Sequence, residues 1–166
     1  MNKINLLKKY AYAYLSKYDS TKKNLEWKLK NKISKMTNVE KKEKFYLYNS
    51  INSILNDLEV KNIINDKIYT QRNIQRLYDQ GKSEFFIKSK LLQKGIDNKL
   101  INSSLKDFEK DNPNYKINAA IKFAEKKKLG KYGNIDNKQK DISKMARAGF
   151  SYYITLKALG YYYQNN

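Results

Sequence analysis

Catalysis by acid, base or metal needs side chains that this sequence either lacks or sets at an unhelpful spacing. The 166 residues include no cysteine and no histidine, which removes thiol nucleophiles, disulfides, the usual imidazole base and the commonest metal ligand. Carboxylates close in sequence, Asp57 with Glu59 and Asp107 with Glu109, stand two residues apart. That spacing does not place both on one helix face, so they read as solvated surface groups. Gly130-Lys131-Tyr132-Gly133 has neither the preceding strand nor the Lys-Ser/Thr ending of a phosphate-cradling loop. What remains is cationic. Arg72 and Arg76, Lys90 and Lys94, and Lys144 and Arg147 are paired at spacings of four, four and three, and Lys126-Lys127-Lys128 adds a run. Residues three or four apart share a helix face, so such pairs suit the phosphates or carboxylates of a partner. The chemistry expected is binding: no enzyme, no cofactor, no metal.

Composition agrees in sign. Lysine and arginine outnumber Asp and Glu by 35 to 16, which calls for a negative partner: nucleic acid, an anionic membrane or an acidic protein. Only Arg72, Arg76 and Arg147 are arginines. Codon drift toward A+T accounts for lysine over arginine but not for lysine over glutamate. Apolar residues make up 40% of the chain, enough for a modest core. No run of 18 apolar residues occurs and no apolar stretch follows Met1-Asn2-Lys3, so the expectation is a cytoplasmic protein that neither spans nor crosses a membrane.

The elements that must position these cations are helices, because apolar residues recur at three and four throughout. Ile4, Leu7, Ala11 and Tyr14 form one stripe. After a cap at Ser20 or Thr21, Leu25, Leu29 and Ile33 form a second. Tyr48, Ile51, Leu55 and Leu58 form a third behind the charged Glu40-Lys41-Lys42-Glu43-Lys44. Asp66 is expected to cap a helix carrying Ile68, Tyr69, Ile74, Leu77 and Tyr78 and ending at Gly81, and Ser83 to cap the next, with Ile87 and Leu91 inward. Beyond the linker around Pro113, Ile117, Ala120, Ile121 and Ala124 share a face up to a break at Gly130. Ile142 and Met145 follow the Gly133–Asp136 link, and the last helix runs from Ser151 to Leu159. The closing Tyr161-Tyr162-Tyr163 reads as packing of the terminus, with stacking on bases as the alternative.

One pattern occurs twice, 54 residues apart: Lys90-Leu91-Leu92-Gln93-Lys94-Gly95-Ile96-Asp97 and Lys144-Met145-Ala146-Arg147-Ala148-Gly149-Phe150-Ser151. In each, a helix ends at a glycine able to take positive φ, an apolar residue anchors the turn, and Asp97 or Ser151 caps the following helix. Fainter copies pair Asp19-x-Thr21 through Leu29 with Gly81-x-Ser83 through Leu91, and Ile51 through Leu58 with Ile101 through Phe108. A period near 50 residues predicts an all-α, elongated array of three tandem three-helix repeats, over residues 1–62, 63–110 and 111–166. Gly81, Gly95 and Gly149 are its structural turns.

In order and spacing these residues resemble the RecX family, regulators of the RecA recombinase, over Tyr10 to Leu159. The strongest stretch runs from Ile64-Asn65-Asp66 through Arg76, Gly81, Ile87, Leu91 and Lys94-Gly95-Ile96 to Ile101. Arg147-Ala148-Gly149-Phe150 with Ile154 and Leu159 closes it, and Tyr14-Leu15-Ser16-Lys17 with Leu25 and Lys28-Leu29 opens it. Ser83 stands where the family usually has glycine and Phe86 where arginine is common; a glycine near Ile33 is missing, and Ser34 to Lys44 is lengthened and more charged. The resemblance implies a monomeric, non-catalytic protein that lodges in the groove of the RecA filament on single-stranded DNA and restrains its ATPase and strand exchange in recombination and repair. Its contacts would be Arg72, Arg76, Lys90, Lys94, Lys126, Lys127, Lys128, Lys144 and Arg147, with single-stranded DNA an open second ligand. Two other readings stand beside it. A general binder of single-stranded nucleic acid would use the same lysines on phosphates and tyrosines on bases. Leu91 to Leu105 also has the outline of a helix-turn-helix reading DNA through Asp97, Asn98, Lys99 and Asn102, although the second copy offers Tyr152, Tyr153 and Thr155 at those places.

Overall fold

The computed structural model describes residues 3–161, and among them every regular element is helical. In chain order these are α1 (Lys3–Leu15), α2 (Lys22–Ser34), α3 (Lys41–Val60), α4 (Asp66–Asp79), α5 (Glu84–Gln93), α6 (Asn98–Asp111), α7 (Tyr115–Lys127), α8 (Lys138–Arg147) and α9 (Tyr152–Leu159). Two short 3-10 turns, Gly130–Tyr132 and Ile135–Asn137, lie between α7 and α8. No described helix is long and apolar enough to cross a membrane.

The chain divides into two units, one of residues up to 69 with 94–96, the other of 70–93 with the residues from 97 onward. In the first, the stripes of α1, α2 and α3 meet: Leu7, Ala11, Leu25, Leu29, Ile33, Leu47, Ile51, Ile54, Leu55, Leu58 and Ile64 are all buried, with Tyr10 and Tyr14 packed against them. In the second, small residues on α7 (Ala119, Ala120, Ala124) let it lie closely against α9, and Met145, Phe150, Ala158 and Leu159 close the core. Tyr161 is buried there too, while Tyr162 and Tyr163 lie outside the described residues.

Local chemistry sets the helix boundaries. Thr21, Ser83, Asp97 and Ser151 each accept a backbone N–H of the first turn that follows, from Asn24, Phe86, Lys99 and Ile154 respectively. Asp66 does not act as a cap. Asn65 takes that role through Lys67 and Ile68 N–H, and Asp66, the first residue of α4, instead accepts the Lys22 N–H at 2.9 Å. The α4 helix ends at Asp79, two residues before Gly81, and Ile68 on it is 42% exposed. The α7 helix also stops early: Lys128 takes the left-handed conformation, φ 52°, ahead of Gly130. The Glu40–Lys44 run forms the start of α3.

Gly81, Gly95 and Gly149 have φ of 72°, 77° and 87°. At Gly149 the turn closes with Gly149 N–H to the Ala146 carbonyl and Phe150 N–H to that of Met145, the six-residue closure that satisfies a helix end. Each repeated turn is also clasped from outside. The Thr21 hydroxyl donates to the Lys94 carbonyl at 2.5 Å, and the Ser83 hydroxyl donates to the Ala148 carbonyl at 2.6 Å. In both cases the clasping hydroxyl already caps a helix, and the carbonyl it takes belongs to the residue before the turn glycine.

Candidate interaction surface

Eight of the nine cations singled out from the sequence are exposed, and Lys144 is half-buried. Among the described residues only Lys144 of the nine is ion-paired, its Nζ 3.5 Å from Asp141, whose other oxygen is held by the Gly130 N–H at 2.8 Å. The charge of the rest is therefore available to a partner. Surface cations in this state gain little for the fold itself.

Two groups emerge. On α4, Arg72 and Arg76 line a shallow groove of about 660 Å³ with Gln71, Gln75, Asp79 and Gln80, and Arg76 is steadied by Asn73 Oδ1 at 2.8 Å. The donors on this face outnumber its one carboxylate, which suits recognition of carboxylate or phosphate oxygens. The second group joins two helices. Lys127 at the end of α7 faces Lys144 and Arg147 on α8 across a concavity of about 460 Å³ that also includes Phe123 and Ala148. Lys126, Lys127, Lys144 and Arg147 lie in the last turns of their helices, where the backbone dipole favours positive charge. Arg147 Nε reaches back to the Ser143 carbonyl at 3.4 Å.

The remaining candidates line neither concavity. Lys90 lies 5.9 Å from the Phe86 ring centroid, beside Lys82 at 4.9 Å, so this ring is flanked by two lysines. Lys94 contributes its carbonyl to the Thr21 clasp. Lys126 and Lys128 are exposed on the α7 end. Phe123, one turn before Lys127, lines the second concavity with it, and its spacing of four from Lys127 is the sign of this in the sequence.

A third concavity, about 430 Å³ and including Ser83, Glu84, Lys88, Lys116 and Gly149, is electrostatically different. Glu84 binds Lys88 at 2.7 Å, Lys116 at 3.1 Å and the Tyr115 hydroxyl at 2.5 Å, while Lys116 also meets Glu109 at 3.2 Å. Burial alone would raise the Glu84 carboxyl, but the hydrogen bonds from Lys88, Tyr115 and Lys116 outweigh it and hold the pKa at about 2. Burial, then the bond to Glu84, pushes the Tyr115 phenol up. Here the cations are neutralised internally, so this cluster builds the fold, in contrast to Arg72, Arg76, Lys127 and Arg147, which have no ion pair among the described residues.

No protein-family model matches the chain. It is similar to the regulatory protein RecX of Myxococcus xanthus strain DK1622, 26% identical over 158 residues, 92% of this chain and 83% of that protein. Against RecX of Lactococcus lactis subsp. cremoris strain SK11 it is 34% identical over 113 residues, 66% of this chain but 41% of the relative. The crystal structure of RecX from Lactobacillus salivarius superposes with a TM-score of 0.70 over 95% of this chain and 94% of that one, at 26% identity.

Proposed function

We propose that this chain, which belongs to the RecX family, is a regulator of the RecA recombinase that binds the RecA filament and lowers its ATPase and strand-exchange activity. It acts by binding alone, as a cytoplasmic monomer, with the nine helices of the described residues taken as three tandem three-helix repeats. The observation that carries the reading is the state of the charge: the Arg72/Arg76 groove and the Lys127/Lys144/Arg147 concavity hold cations that, Lys144 apart, have no acidic partner among the described residues. Acidic side chains of the filament, or the phosphates of its DNA, are the complementary groups. Several modest contacts of this kind to one assembly combine through effective concentration.

The test is the single-stranded-DNA-dependent ATPase of RecA with this protein titrated in, DNA in excess and salt fixed. Loss of activity well below one copy per RecA supports a filament regulator. If inhibition needs enough protein to coat the DNA and disappears when more DNA is added, the protein competes for phosphates. It is then a general binder of single-stranded nucleic acid.

A further inference from the structure

The first two helices carry an arrangement that the cationic groups above do not include. Together α1 and α2 hold eight lysines and a single carboxylate, Glu26. That carboxylate is occupied by Lys30 at 2.5 Å and Lys23 at 3.1 Å. Along the α1 side stand Tyr10, Tyr14 and Tyr18, four residues apart, with the rings of Tyr14 and Tyr18 5.1 Å apart. Across from them, Lys32 lies 5.6 Å from the Tyr10 ring, and Lys28 lies 5.6 Å from Tyr14 and 5.1 Å from Trp27. Asn24 Nδ2 holds the Tyr14 hydroxyl at 3.1 Å. Tyr18 and Trp27 are 57% and 56% exposed, large rings presented to solvent, Trp27 beside the Lys28 ammonium and Tyr18 beside the Tyr14 ring.

A ladder of aromatic faces alternating with cations matches single-stranded DNA. That polymer offers π faces and phosphates in alternation, and it binds where bases stack on rings while lysines neutralise the backbone. Duplex DNA hides its base faces, and an acidic peptide has no rings to stack at regular intervals. We propose that Tyr14, Tyr18, Trp27, Lys28 and Lys32 form a binding face for single-stranded DNA, with bases stacked on Trp27 and Tyr18 and phosphates held by Lys28 and Lys32. Because Lys28 is within 6 Å of two rings, a phosphate drawn to it brings its base within stacking reach of Trp27. This face goes beyond the filament-binding reading and needs no recombinase.

Trp27 is the only tryptophan in the chain, so its fluorescence reports this face alone. Titration of the full chain with a 20-residue oligothymidylate should quench Trp27 saturably, and an equal concentration of duplex of the same length should quench it far less. By anisotropy of a labelled oligothymidylate, W27A should bind about tenfold more weakly and W27F close to wild type, since a base stacks on either ring. Lys28→Gln and Lys32→Gln should each reduce the steepness of the log affinity against log salt by about 0.7. Circular dichroism checks that W27A, altered at an exposed position, is folded. Absence of quenching, equal quenching by duplex, or wild-type affinity of folded W27A would each overturn the assignment. None of these measurements involves RecA, so their failure leaves the filament reading intact.

Discussion

At the Gly95 turn the Thr21 hydroxyl caps α2 and grips the Lys94 carbonyl; at the Gly149 turn the Ser83 hydroxyl caps α5 and grips the Ala148 carbonyl. The two sites share one plan down to the residue two places beyond the clasp. A Cβ on Gly95 would stand 2.5 Å from Lys23 Cβ, and a Cβ on Gly149 2.8 Å from Phe85 Cδ1. They part at the residue between. Next to Thr21, the Lys22 N–H donates to Asp66, the first residue of α4. Next to Ser83, Glu84 takes the hydroxyl of Tyr115, the first residue of α7, together with Lys88 and Lys116. The difference teaches that the hydroxyl and glycine define the repeated turn, while the neighbouring slot tolerates opposite electrostatics. Burial raises Asp66 most, against the Lys22 N–H that lowers it and with Glu59 adding to the rise; Glu84 is held down.

Substituting the glycines should have the largest effect. Gly149→Ala and Gly95→Ala combine left-handed strain with a contact well inside normal packing, and each should cost about 2–4 kcal/mol in urea denaturation. If either is tolerated at less than about 1 kcal/mol, the shared plan is weaker than drawn. Loss of a clasp comes next. Thr21→Ala and Ser83→Ala each remove a cap and a bond to a turn carbonyl and should cost about 1–2 kcal/mol, with Thr21→Ser and Ser83→Thr recovering most of it.

The acidic pair sharpens the contrast by sign. The folded pKa of Glu84 is depressed, so its contribution is present above the ordinary value of 4.5 and is lost as pH falls toward about 2. Glu84→Gln should therefore cost about 1–2 kcal/mol at neutral pH and almost nothing near pH 2. Asp66 is raised, so the folded state takes up its proton more readily and gains stability as pH falls through that raised value. Asp66→Asn keeps an acceptor for the Lys22 N–H and should change neutral stability by less than about 0.5 kcal/mol. Stability curves for the two variants that move in the same direction with pH would break the comparison.

The turns were legible in the sequence because glycine, an apolar anchor and a capping residue act within a few positions of one another. The clasps were not, since each joins residues 73 or 65 apart. Asn65 and Asp66 are equally good caps by type; the choice is made by Lys22, whose N–H engages Asp66 from a distant segment. On the candidate surface, helical spacing placed Arg72 with Arg76 and Lys144 with Arg147. That Lys127 faces the latter pair depends on how α7 and α8 meet, which no local pattern carries. Lys28 entered the sequence reading only through the opening motif, and Trp27 was hidden by abundance: in a chain this rich in lysine and tyrosine, one more aromatic beside a lysine is no signal until the rings are placed.

The most direct test of filament regulation is binding to preassembled RecA on single-stranded DNA by the wild-type chain and by a Lys127→Glu/Arg147→Glu variant that leaves Lys144 on Asp141. Co-sedimentation at fixed salt would be run alongside urea denaturation of both proteins. Lys127 and Arg147 are exposed and carry no ion pair among the described residues, so the variant should stay folded while losing at least tenfold in filament binding and its inhibition of the ATPase. A folded variant that binds and inhibits like wild type would contradict the assignment of this charge to the filament.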